Sequence, residues 1–216
     1  MLLSRLQALI GGIYDVSIGY DIYDFLVTDR TRLPAAAHGA LSDEALIVAE
    51  DPAGDGAVRL ALYLDPQLLA RLGSADPLVR LDAANVGDYW TVLEGVSHFL
   101  YLAWNAGHDK PVSLLELEMQ AEVDKYVASY WLMRRQYPRH FPAELRRTLF
   151  ERTHVDARLA AEAREVYREA SRYAERFCRR LEHDLGKAAE GVVLAELRRF
   201  YRLTHQRKRA HIERTA

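Results

Sequence analysis

The sequence has almost no cysteine: Cys178 is its one thiol in 216 residues. An internal disulfide framework is thereby excluded, and a single thiol fits a reducing compartment. Long apolar runs are missing too. No stretch approaches the roughly 20 uninterrupted apolar residues that span a bilayer. The opening MLLSRLQALIGG is apolar, yet Arg5 and Gln7 interrupt it and no small-residue cleavage signal follows. It reads as a helix, and the expectation is a soluble, cytoplasmic chain with no membrane partner. Signature motifs are equally scarce. The phosphate-cradling loops GxxxxGK[ST] and GxGxxG do not occur, nor do HExxH or GxSxG. A lone Cys cannot build a cysteine-rich zinc site. The enzyme classes that announce themselves by such motifs are excluded.

Charge is present and unevenly placed. The formal net charge is −2, but residues 1–130 hold 8 Lys+Arg against 19 Asp+Glu, a balance of −11. Residues 131–216 hold 21 against 12, a balance of +9. Halves of opposite sign either attract one another or face charged partners.

Apolar periodicity sets out an α+β chain. Residues 2–10 form a short amphipathic helix ended by Gly11 and Gly12. Val16, Ile18, Tyr20 and Ile22 alternate with Ser17, Gly19 and Asp21, which is strand period, and the period slips through Phe25, Leu26 and Val27. On that strand the polar face would carry Asp15, Ser17, Gly19 and Asp21, an acidic edge able to receive a basic partner. Two apolar runs, 45–50 and 57–64, flank a Pro/Gly/Asp loop and predict a hairpin over 45–64 within a small antiparallel sheet. From Asp65 onward the pattern is helical. Asp65-Pro66 and Asp76-Pro77 are helix starts, with proline at the first helical position. Asp88 caps a helix to Asn105, and Ser113 with Glu116 is a capping box for a helix running to Gln136. Pro142 starts a short helix. Thr153 to Asp156 caps a long one ending at Leu185-Gly186, and a last helix covers 188–209. The boundaries expected are an acidic α+β part, 1–87, and a helical bundle, 88–216, packed as one unit.

The helix Asp88–Asn105 carries the best candidate site. Val92, Leu93, Val96, Phe99, Leu100, Ala103 and Trp104 cover one broad face; Thr91, Glu94, His98, Tyr101 and Asn105 line the other. A helix so apolar is expected to be buried, and its polar stripe must then find partners. Glu94 and His98, four apart, can bond each other, which raises the imidazole pKa. The next helix, antiparallel across a short connection, offers Glu118 and Glu122. His98, Glu94, Glu122 and Tyr101 are the candidate catalytic set for acid–base or metal-assisted hydrolysis. His98, Glu94, Glu118 and Glu122 are the candidate ligands of a divalent metal, since one imidazole with carboxylates suits a hard or borderline ion. Glu116 is assigned to its capping box. Asp124 and Lys125 fall on the outward side of the wheel and read as solvated.

A second candidate is a basic surface for polyanions: Arg168, Arg172 and Arg176 on the long helix, with Arg198, Arg199 and Arg202 near the C-terminus. Arg199–His205 and Arg147–His154 also match the loose Arg-to-His spacing of helical ribonucleases of the HEPN type. With 25 arginines in the chain, such spacings arise by chance, so no family is assigned. The leading expectation is an interaction or adaptor module that binds a protein partner or a second copy of itself through its acidic and basic ends. An enzyme centred on His98, Glu94 and Glu122 comes next, and an RNA- or nucleotide-binding protein or RNase is the more distant alternative.

Overall fold

The computed structural model describes residues 1–33, 42–50, 58–138, 142–151 and 160–214. Helix α1 (Leu2–Tyr14) runs three to four residues beyond the expected stop. Gly11 and Gly12 cost it roughly 1 kcal/mol each in helix propensity. Burial of Ile10, Ile13 and Tyr14 on the core side offsets that cost. The helix ends where Asp15 turns left-handed (φ 54°, ψ 54°). There the Val16 N–H folds back on the Gly11 carbonyl at 3.0 Å. A Cβ at Gly11 would lie 2.9 Å from the Val16 carbonyl oxygen, so glycine is needed for this closure.

The expected strand over 16–22 does not form. Asp21 accepts the Tyr23 N–H at 2.9 Å and caps a single 3-10 turn, Ile22–Phe25, which takes the segment out of extended geometry. Ser4 and Gln7 of α1 hold it by side-chain bonds to Asp21 and to the Ile22 N–H. The acidic strand face of Asp15, Ser17, Gly19 and Asp21 is therefore absent. The short strand β1 (Leu26–Val27) follows, where the alternation slipped.

Strands β2 (Glu44–Glu50) and β3 (Val58–Leu64) pair antiparallel from Glu44↔Leu64 to Glu50↔Val58, as the hairpin signal required. The loop between them lies outside the described residues. β1 pairs with β3 in parallel, Leu26↔Leu62, so the sheet is mixed, in order β1-β3-β2, and not purely antiparallel.

Asp65 caps helix α2 (Pro66–Ser74) through the Gln67 and Leu68 N–H groups. Asp76 accepts the Leu78 N–H, yet only a turn follows Pro77. That turn is fastened by Asn85, whose side chain reaches the Ala75 and Arg80 carbonyls. Helix α3 (Val86–Ala106) begins two residues before Asp88, with Asn85 at its cap position. Asp88, released from capping, forms a two-pronged pair with Arg71 at 2.6 and 2.9 Å. Helix α4 (Leu114–Gln136) has the expected bounds, and Ser113 Oγ accepts the Glu116 N–H.

Three helices follow from the basic half after the short α5 (Leu145–Glu151): α6 (Ala161–Leu185), α7 (Glu190–Tyr201) and α8 (His205–Arg214). The expected cap of α6 at Thr153–Asp156 lies outside the described residues. The single last helix over 188–209 is instead two, broken after Tyr201. The break turns Lys208 into the interior, where it is 0% exposed. One apolar core runs from Leu3 and Leu6 through Tyr89, Phe99 and Met119 to Phe177, Leu197 and Ile212. Stacked pairs tie its ends together, Tyr14 on Tyr201 at 4.2 Å and Phe177 on Phe200 at 3.9 Å. The class is α+β, a small sheet followed by a helical bundle.

Candidate functional site

Helix α3 passes through the middle of the molecule and is buried on nearly all sides, so its polar stripe is internal. Glu44, the first residue of β2, leans over it at Gly95. A Cβ on Gly95 would meet Leu62 Cδ1 at 2.8 Å and Glu44 Cγ at 2.9 Å. The missing side chain is what lets the strand and its carboxylate lie against α3. His98, one turn along and 5% exposed, lies between two acids. Its Nδ1 is 3.8 Å from Glu44 Oε1, and its Nε2 is 3.5 Å from Glu118 Oε2. Burial alone would lower the His98 pKa, but Glu118 and Glu44 on either side carry it well above the ordinary histidine value. Burial outweighs His98 at Glu44, whose carboxyl is raised.

Glu94 does not bond His98. Its carboxylate pairs with Lys125 at 2.5 Å, and Lys125 also holds Glu122 at 2.8 Å. Burial tends to raise the Glu94 carboxyl, but the charges of Lys125 and His98 prevail and lower it. Lys125, expected in solvent, is therefore a buried cation joining the two central helices. Tyr167 of α6 closes another side, its hydroxyl raised by burial and by the neighbouring Glu118. Glu44, Glu94 and His98 each offer a ligand atom within 4.8 Å of the other two. Three buried atoms of the cluster, Glu44 Oε1, His98 Nε2 and Glu122 Oε2, have no hydrogen-bond partner.

Tyr101 belongs to a different network. Its hydroxyl donates to Glu116 Oε1 at 2.5 Å, so Glu116 caps only through its backbone while its carboxylate serves the core. Next to it, Asp124 is also buried, against the expectation of a solvated residue. It accepts from Tyr14 and Ser97, each at 2.5 Å, and from Gln120 at 2.7 Å. Burial lifts its carboxyl to about 6 despite those three donors. Lys208 bonds Gln120 Oε1 at 2.5 Å and sits over the rings of Tyr101, Phe200 and Tyr201. Burial depresses its amine to about 7, against the pull of Glu116 and Asp124.

The candidate polyanion residues are dispersed in role. Arg168 and Arg172 both reach Glu165. Arg198 and Arg202 donate to the last carbonyls of α1, Arg202 to Tyr14 at 2.9 Å and to Asp15 at 2.8 Å, where cations suit the negative end of a helix. Arg176 lines a shallow cleft of about 230 Å³ with Glu169, Arg172 and Tyr173. Arg199 is exposed. No pair is seen for Arg176 or Arg199 among the described residues. No family model, curated protein or solved structure matches this chain.

Proposed function

We propose that the protein binds a divalent cation at the Glu44–Glu94–His98 cluster, with Glu118 and Glu122 beside it. The observation that carries this reading is the convergence of ligand atoms from Glu44, Glu94 and His98 within 4.8 Å of one another. There Glu44 Oε1 and His98 Nε2 are buried, make no hydrogen bond, and meet their nearest opposite charge only at 3.8 and 3.5 Å. A buried polar atom without a partner costs about 1–3 kcal/mol. Four carboxylates there face Lys125 and His98, and an imidazole that ligates a metal gives up its proton, which leaves a formal deficit of three positive charges. A divalent ion supplies two of them. Carboxylate oxygens with one imidazole favour Mn²⁺, Fe²⁺ or Zn²⁺ over purely thiophilic ions. Glu44, His98 and Glu118 are all nine-tenths or more buried, which suits a closed, organising site better than an open catalytic one. Such a cation would tie β2 to α3. Equilibrium dialysis against Mn²⁺ or Zn²⁺ with elemental analysis tests it. One ion per chain is expected, with about 3 kcal/mol of added stability when the free ion is a hundred times Kd. His98→Ala with Glu44→Gln should abolish both effects, and a wild type that retains no ion at millimolar concentration ends the reading.

A second reading, an interaction module, rests on the charge division. Arg5–Asp76, Arg71–Asp88 and Lys125–Glu94 lie within 1–130, while Arg146–Glu175, Arg172–Glu165 and Arg180–Glu196 lie within 131–216. These pairs join residues of the same half and leave the −11 and +9 balances standing. Among the described residues no helix is long and apolar enough to cross a membrane. On this reading the acidic part of one copy meets the basic part of another, in the cytoplasm. Solution mass should then fall towards that of the monomer as salt rises from 50 to 500 mM, through screening over a Debye length of about 10 Å. A mass equal to one chain at every salt concentration contradicts it.

A further inference from the structure

Lys125 stands where an incoming cation must compete. Its ammonium lies 2.5 Å from Glu94 Oε2 and 2.8 Å from Glu122 Oε1, so one amine holds an acid from each central helix. Glu94 is also one of the three residues whose ligand atoms converge. An ion placed there either takes Glu94 from Lys125 or sits beside a like charge in a poorly screened interior, and both outcomes oppose binding. The surroundings also give the amine somewhere to go. The side chains of Glu94 and Glu122 are 25% and 16% exposed, against 6% for His98 and 9% for Glu44, so the Lys125 end is the one nearest water. A lysine carries its charge on a flexible four-carbon stem and can swing its head outward while its stem stays packed.

We propose that Lys125 is a built-in competitor of the cation: its ammonium fills the Glu94–Glu122 end of the cluster in the ion-free protein and is displaced towards solvent when a divalent ion binds. The inference rests on the cation-site reading above. It makes the site selective for ions able to outcompete a resident ammonium, and it gives the protein a low-affinity, reversible mode of binding. No proton need be lost from the lysine, since the amine moves as a charged group.

The test is Mn²⁺ titration of wild type, Lys125→Gln and Lys125→Arg at one pH and ionic strength, with unfolding followed in parallel. Lys125→Gln should bind Mn²⁺ at least tenfold more tightly than wild type. Lys125→Arg keeps the charge and should bind no more tightly than wild type. Adding Glu44→Gln to Lys125→Gln should remove the gain, which locates it at this centre. Should Lys125→Gln be unfolded without metal, the expected result is refolding on Mn²⁺ addition. A folded Lys125→Gln with wild-type affinity, or an unfolded one that millimolar Mn²⁺ does not restore, overturns the competition. Absence of Mn²⁺ from all three proteins is a separate outcome that removes the cation site itself.

Discussion

Asp124→Ala will lose about 3–5 kcal/mol of stability, the largest effect expected of any single polar residue in this chain. Asp124 is 1% exposed, and its two oxygens collect donors from three places: Tyr14 on α1, Ser97 on α3 and Gln120 on α4. Alanine leaves the buried Tyr14 and Ser97 hydroxyls without this acceptor and Gln120 with only the Tyr14 hydroxyl at 3.2 Å. Each unsatisfied donor costs about 1–3 kcal/mol, although partial repacking keeps the costs from adding in full. For a chain of this length that is a fall of roughly 6–20 °C in Tm. Asp124→Asn is the informative companion. Its amide keeps the shape but turns one donor-facing acceptor into an NH₂ group, so it should cost less than alanine, and less at pH 7.5 than at pH 5. The Asp124 carboxyl, lifted to about 6 in the folded protein against about 3.9 in the unfolded chain, takes up a proton on folding between those values. Its contribution to stability is therefore lost as pH rises through about 6, while the amide does not titrate. Urea unfolding at the two pH values measures this. A loss under about 1 kcal/mol for Asp124→Ala would show that Tyr14, Ser97 and Gln120 find other partners with ease.

Asp124 and Lys125 also show where the sequence was legible and where it was not. The bounds of α4 could be read because Ser113 is a local signal acting on the next three residues. The same holds for Asp65-Pro66 and for the two apolar runs of the hairpin. A helical wheel, however, presumes an outside, and α4 scarcely has one: α3 lies on one side and α6 on another. Residues on its polar side therefore meet other helices, and Asp124 and Lys125 become the hubs of two buried networks. The inward stripe of α3 was foreseen for His98 and Tyr101, but their partners were not. Glu44 reaches His98 only because a hairpin distant in sequence settles over Gly95, and Glu116 was already accounted for by its cap. Nothing in the periodicity of 190–214 marks the break that buries Lys208, because Arg207-Lys208-Arg209 has the composition of a solvated helix end. Local chemistry fixed starts and stops; long-range packing chose which charges went inside.

Lys208 gives the other large effect, and it is read through pH. Its amine is wholly buried and depressed to about 7, while in the unfolded chain it titrates near 10.4. Below pH 7 it is protonated in both states, and the folded protein bears the full cost of an ammonium in its core. Between pH 7 and 10 the unfolded state binds the proton and the folded state does not, so this group's contribution to stability rises with pH. The expected slope is about 1.4 kcal/mol per pH unit. Other groups run the opposite way: His98, raised in the folded state, contributes stability below its unfolded value that is lost as pH climbs. The total curve therefore hides the lysine. Comparison with Lys208→Met exposes it, because His98 and the buried tyrosines are common to both proteins and cancel. The methionine keeps the apolar stem under Tyr101 and Phe200, and leaves Gln120 Oε1 unpaired at every pH alike. From pH 7.5 to 9.5 wild type should gain roughly 3 kcal/mol on the variant, whichever of the two is more stable at the start. A pH-independent difference would mean that Lys208 is protonated throughout that range, held as a cation by Asp124, Glu116 and the three rings around it.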